Sequence, residues 1–285
     1  MMRRSLLPAA AATAAAAAAA TSGARARFAA LALATAALAA GIAAPLAFAQ
    51  FGPPPSAIQQ RVLEAMQAQI RTAEERARDR ERQPAQVLEF FRLREDMRVI
   101  EVLPFSGWYT KILGPVLSER GKLYVTHPSP TFYSDAFTPV RDIAGLEDVE
   151  EIDWNGTPTQ GGTPFFAPGP WDVEPVDLVL TFRNYHNFTP DARMALNESA
   201  FGALAPGGLY GIVDHTRRHM EPDNPENGRR MDPVLVIKEV QEAGFRLVDF
   251  SGLLRRPDDE LRYEVGRASV TGNSDRFALL FEKPE

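Results

Sequence analysis

Apolar and polar positions follow two different periods along the chain from about residue 84 to the C-terminus. Short apolar runs, typical of buried strands, are separated by segments in which apolar residues recur every three or four positions, as on one face of a helix. The predicted strands are 99–103, 122–126, 149–153, 176–182, 209–213, 246–250 and 277–281. The fourth run is apolar on both faces, as a central parallel strand should be. The alternation predicts one doubly wound α/β domain.

The helices between these strands carry start and stop signals. A helix is predicted from Gly107 to about Arg120. A second begins at Thr189–Pro190 and ends at Pro206–Gly207, and a third begins at Asp232–Pro233 and ends at Gly244. Proline at the first helical position and glycine just past the last one are the expected order.

An N-terminal extension, residues 50–83, precedes this domain and is interpreted as a linker followed by an amphipathic helix. Ser56 is a suitable cap, and apolar residues recur at the spacing of one helical face. The stretch Glu74–Arg82 is charged all round, with opposite charges that can pair between neighbouring turns. This pattern favours a solvated helix that leans on the domain, and a regulatory segment is the alternative. Pro84 is expected to start a second short helix that runs to Phe91.

Residues 1–49 read as an export signal. They contain four arginines, no acidic residue, and an Ala/Leu-rich run from Phe28 to Phe48. The triplet Ala47–Ala49 resembles a signal-peptidase site and predicts Gln50 as the first mature residue of a periplasmic or secreted protein, without stable membrane insertion after cleavage. An uncleaved anchor is the alternative, because about 20 apolar residues span a bilayer. The Arg3–Arg4 pair is reminiscent of a twin-arginine signal for export in the folded state.

The charge and the absence of cysteine argue against several kinds of partner and site. Four of the 31 basic residues and none of the 37 acidic residues lie in the export segment, so residues 50–285 carry a formal net charge of −10. This balance argues against nucleic acid or an anionic membrane surface as the partner. The chain has no cysteine, which excludes disulfides, thiolate metal sites and a cysteine nucleophile.

The stretch Arg98–Thr110 is central to the functional prediction. It is a strand followed by a tight loop and the start of a helix. In an open α/β sheet such a unit places backbone N–H groups and a positive helix N-terminus at the carboxyl edge of the strand. Anionic or zwitterionic small molecules bind at that edge, so we expect a small-molecule substrate.

The sequence resembles the class I S-adenosylmethionine-dependent methyltransferases over roughly residues 84–285. The resemblance is carried by seven predicted strands, the last two without a helix between them, and by matching stretches in order. These stretches are Glu101–Thr110, Gly121–Tyr124, Asp177–Leu180, Phe182–Asn187, Leu204–Tyr210 and Val213–His215. The first, fourth and last resemble predicted exported bacterial methyltransferases. The resemblance implies a Rossmann-like seven-stranded sheet and S-adenosylmethionine as the cofactor.

The resemblance also implies cofactor-binding residues. Glu101 is expected near the cofactor's ammonium, the backbone of Ser106 and Gly107 against its carboxylate, His127 near the ribose and Asp153 near the adenine. Arg183 and Asn184, directly after the fourth strand, complete this set.

The sequence departs from the family in two places. The family's first motif has three alternating glycines, and Leu103 and Phe105 stand at two of these positions. The acid that usually ends the second strand is replaced by His127.

Three of the four histidines follow predicted strands whose ends face one crevice. His186 and His215 are predicted as general base and substrate-binding group, since imidazole titrates near neutral pH. The leading function is therefore methyl transfer to a small molecule. The alternative is a non-catalytic or metal-binding protein on the same fold, with His127, His186, His215 and Asp214 as candidate ligands. Four arginines in the loop 216–231 suggest an anionic substrate under a lid, or a solvated loop.

The export signal makes a first prediction. We expect the protein isolated from its native cell envelope to begin at Gln50, because cleavage follows Ala49. Intact-mass spectrometry checks this, and a species that still carries residues 28–48 would support the membrane anchor instead.

Overall fold

The computed structural model of the protein describes residues 54–128, 143–157 and 167–285. The predicted export segment lies outside the described residues. Within those ranges, no helix is both long enough and apolar enough to cross a membrane.

The domain is built on one seven-stranded sheet. Its strands are β1 (Arg98–Val102), β2 (Lys122–His127), β3 (Glu150–Asp153), β4 (Val176–Phe182), β5 (Leu204–His215), β6 (Arg246–Ser251) and β7 (Arg276–Glu282). The order across the sheet is β3-β2-β1-β4-β5-β7-β6. All pairings are parallel except those of β7, which runs antiparallel to both neighbours. All seven predicted strands are confirmed, and β5 begins five residues earlier than predicted, directly after a helix.

Helices cover both faces of the sheet. They are α1 (Ala57–Met66), α2 (Ala73–Ala77), α3 (Asp79–Arg82), α4 (Pro84–Phe90), α5 (Thr110–Leu117), α6 (Pro190–Ala203) and α7 (Pro233–Glu242). Neighbouring strand residues such as Val99 and Ile100 point to opposite faces and belong to separate apolar clusters. One cluster packs under α1, α4 and α5, and the other under α6 and α7. The predicted doubly wound α/β fold is therefore confirmed.

The prediction of one continuous N-terminal helix is wrong. The helix capped by Ser56 ends at Met66, and two short helices follow. The second begins at Thr72, whose side chain accepts from the Glu75 amide while the Glu75 side chain accepts from the Thr72 amide. This reciprocal capping box starts a new helix in a new direction.

The prediction that Glu74–Arg82 leans on the domain is confirmed, whereas the prediction that it is solvated is wrong for its last residue, because Arg82 is only 3% exposed. Several contacts hold this part of the chain on the domain. The Trp108 indole donates to the Glu75 carbonyl at 3.0 Å, and the Gln83 side chain donates to the Leu253 carbonyl at 2.8 Å. The extension is thus packed against the carboxyl edge of the sheet.

Two glycines make a matched test of packing. A Cβ at Gly211 in β5 would lie 2.8 Å from both Phe91 and Leu180, whereas one at Gly202 in α6 has nothing within 4 Å. We expect Gly211→Ala to lower the free energy of unfolding by about 1–3 kcal/mol, because a packed core resists an added methyl. Gly202→Ala should raise it by about 0.5–1 kcal/mol, because alanine is the better helix former. Urea unfolding of both variants measures the difference, and equal effects would contradict the packing described.

Candidate functional site

The loop after β1 keeps a glycine-like backbone without the glycines. Leu103, Phe105 and Gly107 have φ values of 54°, 52° and 74°. These are the three alternating positions at which the resembled family has glycine. A left-handed conformation costs a residue with a side chain about 1–2 kcal/mol, and such strain concentrates at functional sites. The loop therefore retains the backbone path expected of a ligand-binding turn.

The structure changes the role expected for Gly107. Its N–H donates to the Pro104 carbonyl at 2.9 Å and so closes a turn within the loop. A Cβ at this position would meet Ile143 and Thr110 at 3.4–3.6 Å, which is ordinary contact. Gly107 is thus needed for its positive φ, and since its N–H is already engaged within the loop, its expected contact with the cofactor's carboxylate stays a prediction.

A cavity of about 220 Å³ lies at the carboxyl ends of β1 and β4. It is lined by the end of β1 and the loop after it, by the residues that follow β4, and by the N-terminal extension. The charged and polar lining residues are Arg78, Arg82, Glu101, Ser106, Tyr109, Arg183 and Asn184. Four predicted site residues, Glu101, Ser106, Arg183 and Asn184, thus meet in one cavity.

Glu101 presents a buried carboxyl group to this cavity. The Thr110 hydroxyl donates to its Oε2 at 2.6 Å, and the described residues supply no cation to pair with it. Burial raises the pKa of Glu101 to about 7, and the Thr110 hydrogen bond opposes this only in part. A desolvated carboxyl of this kind is stabilised by any cationic group that enters beside it.

Asn184 adds a second acceptor. Its side-chain Nδ2 donates to the Val102 carbonyl at 3.0 Å, which fixes the amide at the end of β1. Its Oδ1 is buried and has no hydrogen-bond partner within the described part of the chain. Since buried acceptors are normally satisfied, Oδ1 marks a position for a ligand N–H.

His186 and Asp214 form a hydrogen-bonded pair near the carboxyl ends of β4 and β5, and neither residue lines the cavity. Asp214, fully buried on β5, accepts from the His186 backbone N–H at 2.9 Å and lies 2.6 Å from its Nδ1. This contact places the proton on Nδ1 and leaves Nε2 as the basic nitrogen. His186 Nε2 makes no hydrogen bond to the described residues.

His215 has a different environment. Its ring lies 5.8 Å from that of His186, and its Nδ1 is 2.8 Å from the Ser274 hydroxyl. Burial, reinforced by the neighbouring His186 and Arg183, lowers the pKa of His215 well below its usual range. The ring therefore stays neutral and does not line the cavity, so it is better suited to a supporting position than to proton transfer.

His127 and Asp153 lie apart from the cavity. They are paired in register on β2 and β3, and Asp153 is exposed. Their expected contacts with ribose and adenine stay predictions. In the described ranges no three His, Asp or Glu side chains come together in a way that would hold a metal ion.

The arginines of the loop 216–231 do not form a lid. Arg230 is buried and forms a bidentate pair with Asp259 at 2.9 Å, and Arg217 pairs with Asp223 at 3.1 Å. Arg229 pairs with Glu264, and Arg218 donates to the Glu260 carbonyl at 2.6 Å. Residues 218–220, 222–226 and 229 are nevertheless exposed, so the interpretation as a solvated loop is confirmed for most of its length.

Sequence reasoning missed Arg78 and Arg82, which enter the cavity from the N-terminal extension. The capping box of Thr72 and Glu75 was the available signal, because it predicts a helix start that redirects the charged stretch. Their position over the sheet edge depends on tertiary contacts that no local pattern encodes.

No family model matches this sequence, and no curated protein sequence matches it. Among solved structures the cyclase SpnF has a TM-score of 0.50 at 14% identity over 72% of this chain and 80% of its own. The chain has the class I methyltransferase fold.

Two further solved structures are reported for comparison. A SAM-dependent methyltransferase from Aquifex aeolicus has a TM-score of 0.48 at 19% identity, over 70% of this chain and 89% of its own. The arsenic(III) S-adenosylmethionine methyltransferase CrArsM from Chlamydomonas reinhardtii has a TM-score of 0.47 at 16% identity, over 82% of this chain and 75% of its own. At such identities the likeness concerns the fold alone.

The raised pKa of Glu101 predicts a pH-dependent stability. Between about pH 4.5, where glutamate titrates in an unfolded chain, and about pH 7, the folded protein binds the extra proton. The free energy of unfolding should therefore fall as pH rises through this window, by about 3 kcal/mol from this group. Urea unfolding of the parent and Glu101→Gln at several pH values measures it. If the difference between the two proteins does not change with pH, Glu101 is not desolvated as described.

Proposed function

We propose that this protein transfers a methyl group from S-adenosylmethionine to a small molecule in the cell envelope. The observation that carries the proposal is the pair of buried acceptors, the Glu101 carboxyl and the unpartnered Asn184 Oδ1, at the carboxyl ends of adjacent β1 and β4. In open α/β sheets, ligands bind in the crevice at the point where the strand order reverses. The fold and the position of the cavity are both consistent with this function.

The cavity fits the amino-acid end of the cofactor. Glu101 and Asn184 would receive the ammonium group, because a buried carboxyl and a buried amide oxygen both gain a hydrogen-bond donor. Side chains at Leu103 and Phe105 do not block this cavity but form part of its wall. When bound, S-adenosylmethionine supplies an electrophilic methyl group on a sulfonium.

His186 is assigned as the general base. Asp214 orients its ring and stabilises the imidazolium that forms when Nε2 takes a proton from the methyl acceptor. His215 stays neutral, so that no second positive charge lies next to the imidazolium that forms on His186. The rest of the rate enhancement would come from alignment of acceptor and methyl group.

Binding of the cofactor gives the main test. We expect calorimetric titration to detect S-adenosylmethionine binding to the parent, and Glu101→Gln or Asn184→Ala to weaken it by about 1–3 kcal/mol. Parent affinity should increase as pH rises from 6 to 8, because the Glu101 carboxyl loses its proton in that range. Glu101→Gln should lack this pH dependence. Glu150→Gln, which makes the same change at an exposed glutamate, is the matched control.

The catalytic role of His186 is tested separately from cofactor binding. His186→Ala should retain cofactor affinity but lose about 10²–10⁴-fold in methyl transfer. Transfer is measured with methyl-labelled cofactor and a panel of phenols, amines and carboxylic acids. A parent that binds no S-adenosylmethionine at millimolar concentration would contradict the proposal and favour a non-catalytic protein on this fold.

A further inference from the structure

The protein pairs most of its buried arginines with carboxylates. Six arginines in the described ranges are less than 9% exposed, and four of them have a close acidic partner. These pairs are Arg71–Asp79 at 2.5 Å, Arg193–Glu239 at 2.6 Å, Arg217–Asp223 at 3.1 Å and Arg230–Asp259 at 2.9 Å. Such pairing is what burial of a cation requires.

The other two, Arg82 and Arg276, lack such a partner. The nearest carboxylate oxygen to Arg82 is that of Glu81, at 4.0 Å, and Arg276 Nη1 donates only to the Glu81 carbonyl at 3.1 Å. Both Nε atoms are buried and make no hydrogen bond to the described residues, which is also true of the paired Arg71 and Arg217, so the missing carboxylate contact is what sets Arg82 and Arg276 apart. The Arg82 guanidinium lies 4.2 Å from the centre of the Trp108 ring, which supports the cation without neutralising it.

These two arginines belong to one arginine cluster, formed by Arg78, Arg82, Arg183 and Arg276. Arg78, Arg82 and Arg183 line the cavity. Burial and repulsion from Arg183 and Arg78 lower the pKa of Arg82 to about 8. Burial, with repulsion from Arg276 and Arg78, lowers the pKa of Arg183 to about 10. The cations thus destabilise one another in a dry site, and an anion placed among them would remove that penalty.

Tyr109 lines the cavity beside the arginine cluster. Its ring stacks on Phe182 with a centroid separation of 3.6 Å. Burial raises the pKa of Tyr109 to about 12, so the phenol is neutral and adds no counter-charge. Asp214 is already bound to His186 and to the His215 backbone.

One carboxylate does lie among the guanidiniums. Glu81 Oε1 is 3.2 Å from Arg78 Nε and 4.0 Å from Arg82 Nε. Its charge opposes the lowering of the Arg276 pKa. A single carboxylate leaves the four guanidiniums with an excess of positive charge.

We propose that the arginine cluster is an oxyanion-binding subsite for a carboxylate, built jointly by the N-terminal extension and the residue after β4. Arg82 and Arg183 would hold the anion by charge-assisted hydrogen bonds, with Arg78 at the cavity mouth and Arg276 behind. The site stands on the burial of Arg82 and Arg276 without a close carboxylate partner, and on the excess of four guanidiniums over the single Glu81 carboxylate. Which ligand brings the carboxylate depends on the proposed function.

Two ligands could bring it. The cofactor has its own carboxylate, which would lie opposite the Glu101 and Asn184 acceptors in a cavity of amino-acid size. The methyl acceptor is the second source, since the bound cofactor carries a net positive charge, and the carboxylates of Glu81 and of the cofactor together do not balance four guanidiniums. In both cases the N-terminal extension contributes directly to ligand binding.

The anion site is tested first with acetate as the probe. Thermal unfolding is followed in sodium acetate and in sodium chloride at equal ionic strength, for the parent, Arg82→Gln, Arg78→Gln and Arg80→Gln. We expect acetate to raise the parent's melting temperature more than chloride does, by preferential binding to the folded state. This excess should be lost in Arg82→Gln and reduced in Arg78→Gln. It should persist in Arg80→Gln, an exposed arginine on the same short helix.

The exposed Arg78 keeps the test valid if Arg82→Gln does not fold. Equal responses of the parent and all variants that fold, with no loss in Arg78→Gln, would overturn the proposal. General salt effects act on every variant and cancel in this comparison.

The source of the carboxylate is then determined by measuring the affinity for two nucleosides. S-adenosylhomocysteine has the amino-acid carboxylate, and decarboxylated S-adenosylmethionine lacks it. If the cofactor supplies the carboxylate, Arg82→Gln should lower the affinity for S-adenosylhomocysteine by about 10-fold or more and leave the affinity for decarboxylated S-adenosylmethionine unchanged. If the acceptor supplies it, cofactor affinity is retained and only the acetate response at saturating S-adenosylhomocysteine is lost. A parent that binds neither nucleoside but still shows the Arg82-dependent acetate response would remove the methyltransferase proposal and keep the anion site.

Discussion

The indole of Trp108 connects the two parts of the molecule on which the site depends. Its Nε1 donates to the Glu75 carbonyl, and the guanidiniums of Arg71 and Arg82 lie 4.9 and 4.2 Å from its ring centre. On the other side Trp108 packs edge-on against Tyr109. A single aromatic residue in the loop after β1 therefore positions the N-terminal extension and sets where its arginines enter the cavity.

Parallel pairing of β1 with β4 supplies the rest of the geometry. Because Val102 is in register with Thr181, the residues that follow each strand emerge side by side at one edge of the sheet. Glu101 and Asn184 come from this edge, and the Asn184 amide is tied to the Val102 carbonyl across it. The polar groups are thus placed by backbone pairing, and the apolar layers on both faces keep the edge dry enough to raise the pKa of Glu101.

The sheet could be predicted because each strand is a local apolar run, and Val176–Phe182 was located to the residue. Thr189 and Asp232 were likewise identified as caps from their own neighbourhoods. The break after Met66 was missed because an apolar periodicity continued across it. The pairing of Arg82 with an aromatic ring, rather than with a carboxylate, depends on segments far apart in sequence. Burial of that kind has no local signature.

The departures at Leu103 and Phe105 now have a physical interpretation. The loop keeps positive φ values that favour glycine, although two of these residues carry side chains. The packing around the loop, and not the preference of its residues, therefore maintains this backbone path. With the Gly107 N–H engaged by Pro104, backbone donors of the loop are less available for an anion. Guanidiniums from the N-terminal extension stand at the same cavity and offer stronger donors. The proposed anion site therefore relies on these arginine donors and not on the backbone of the loop.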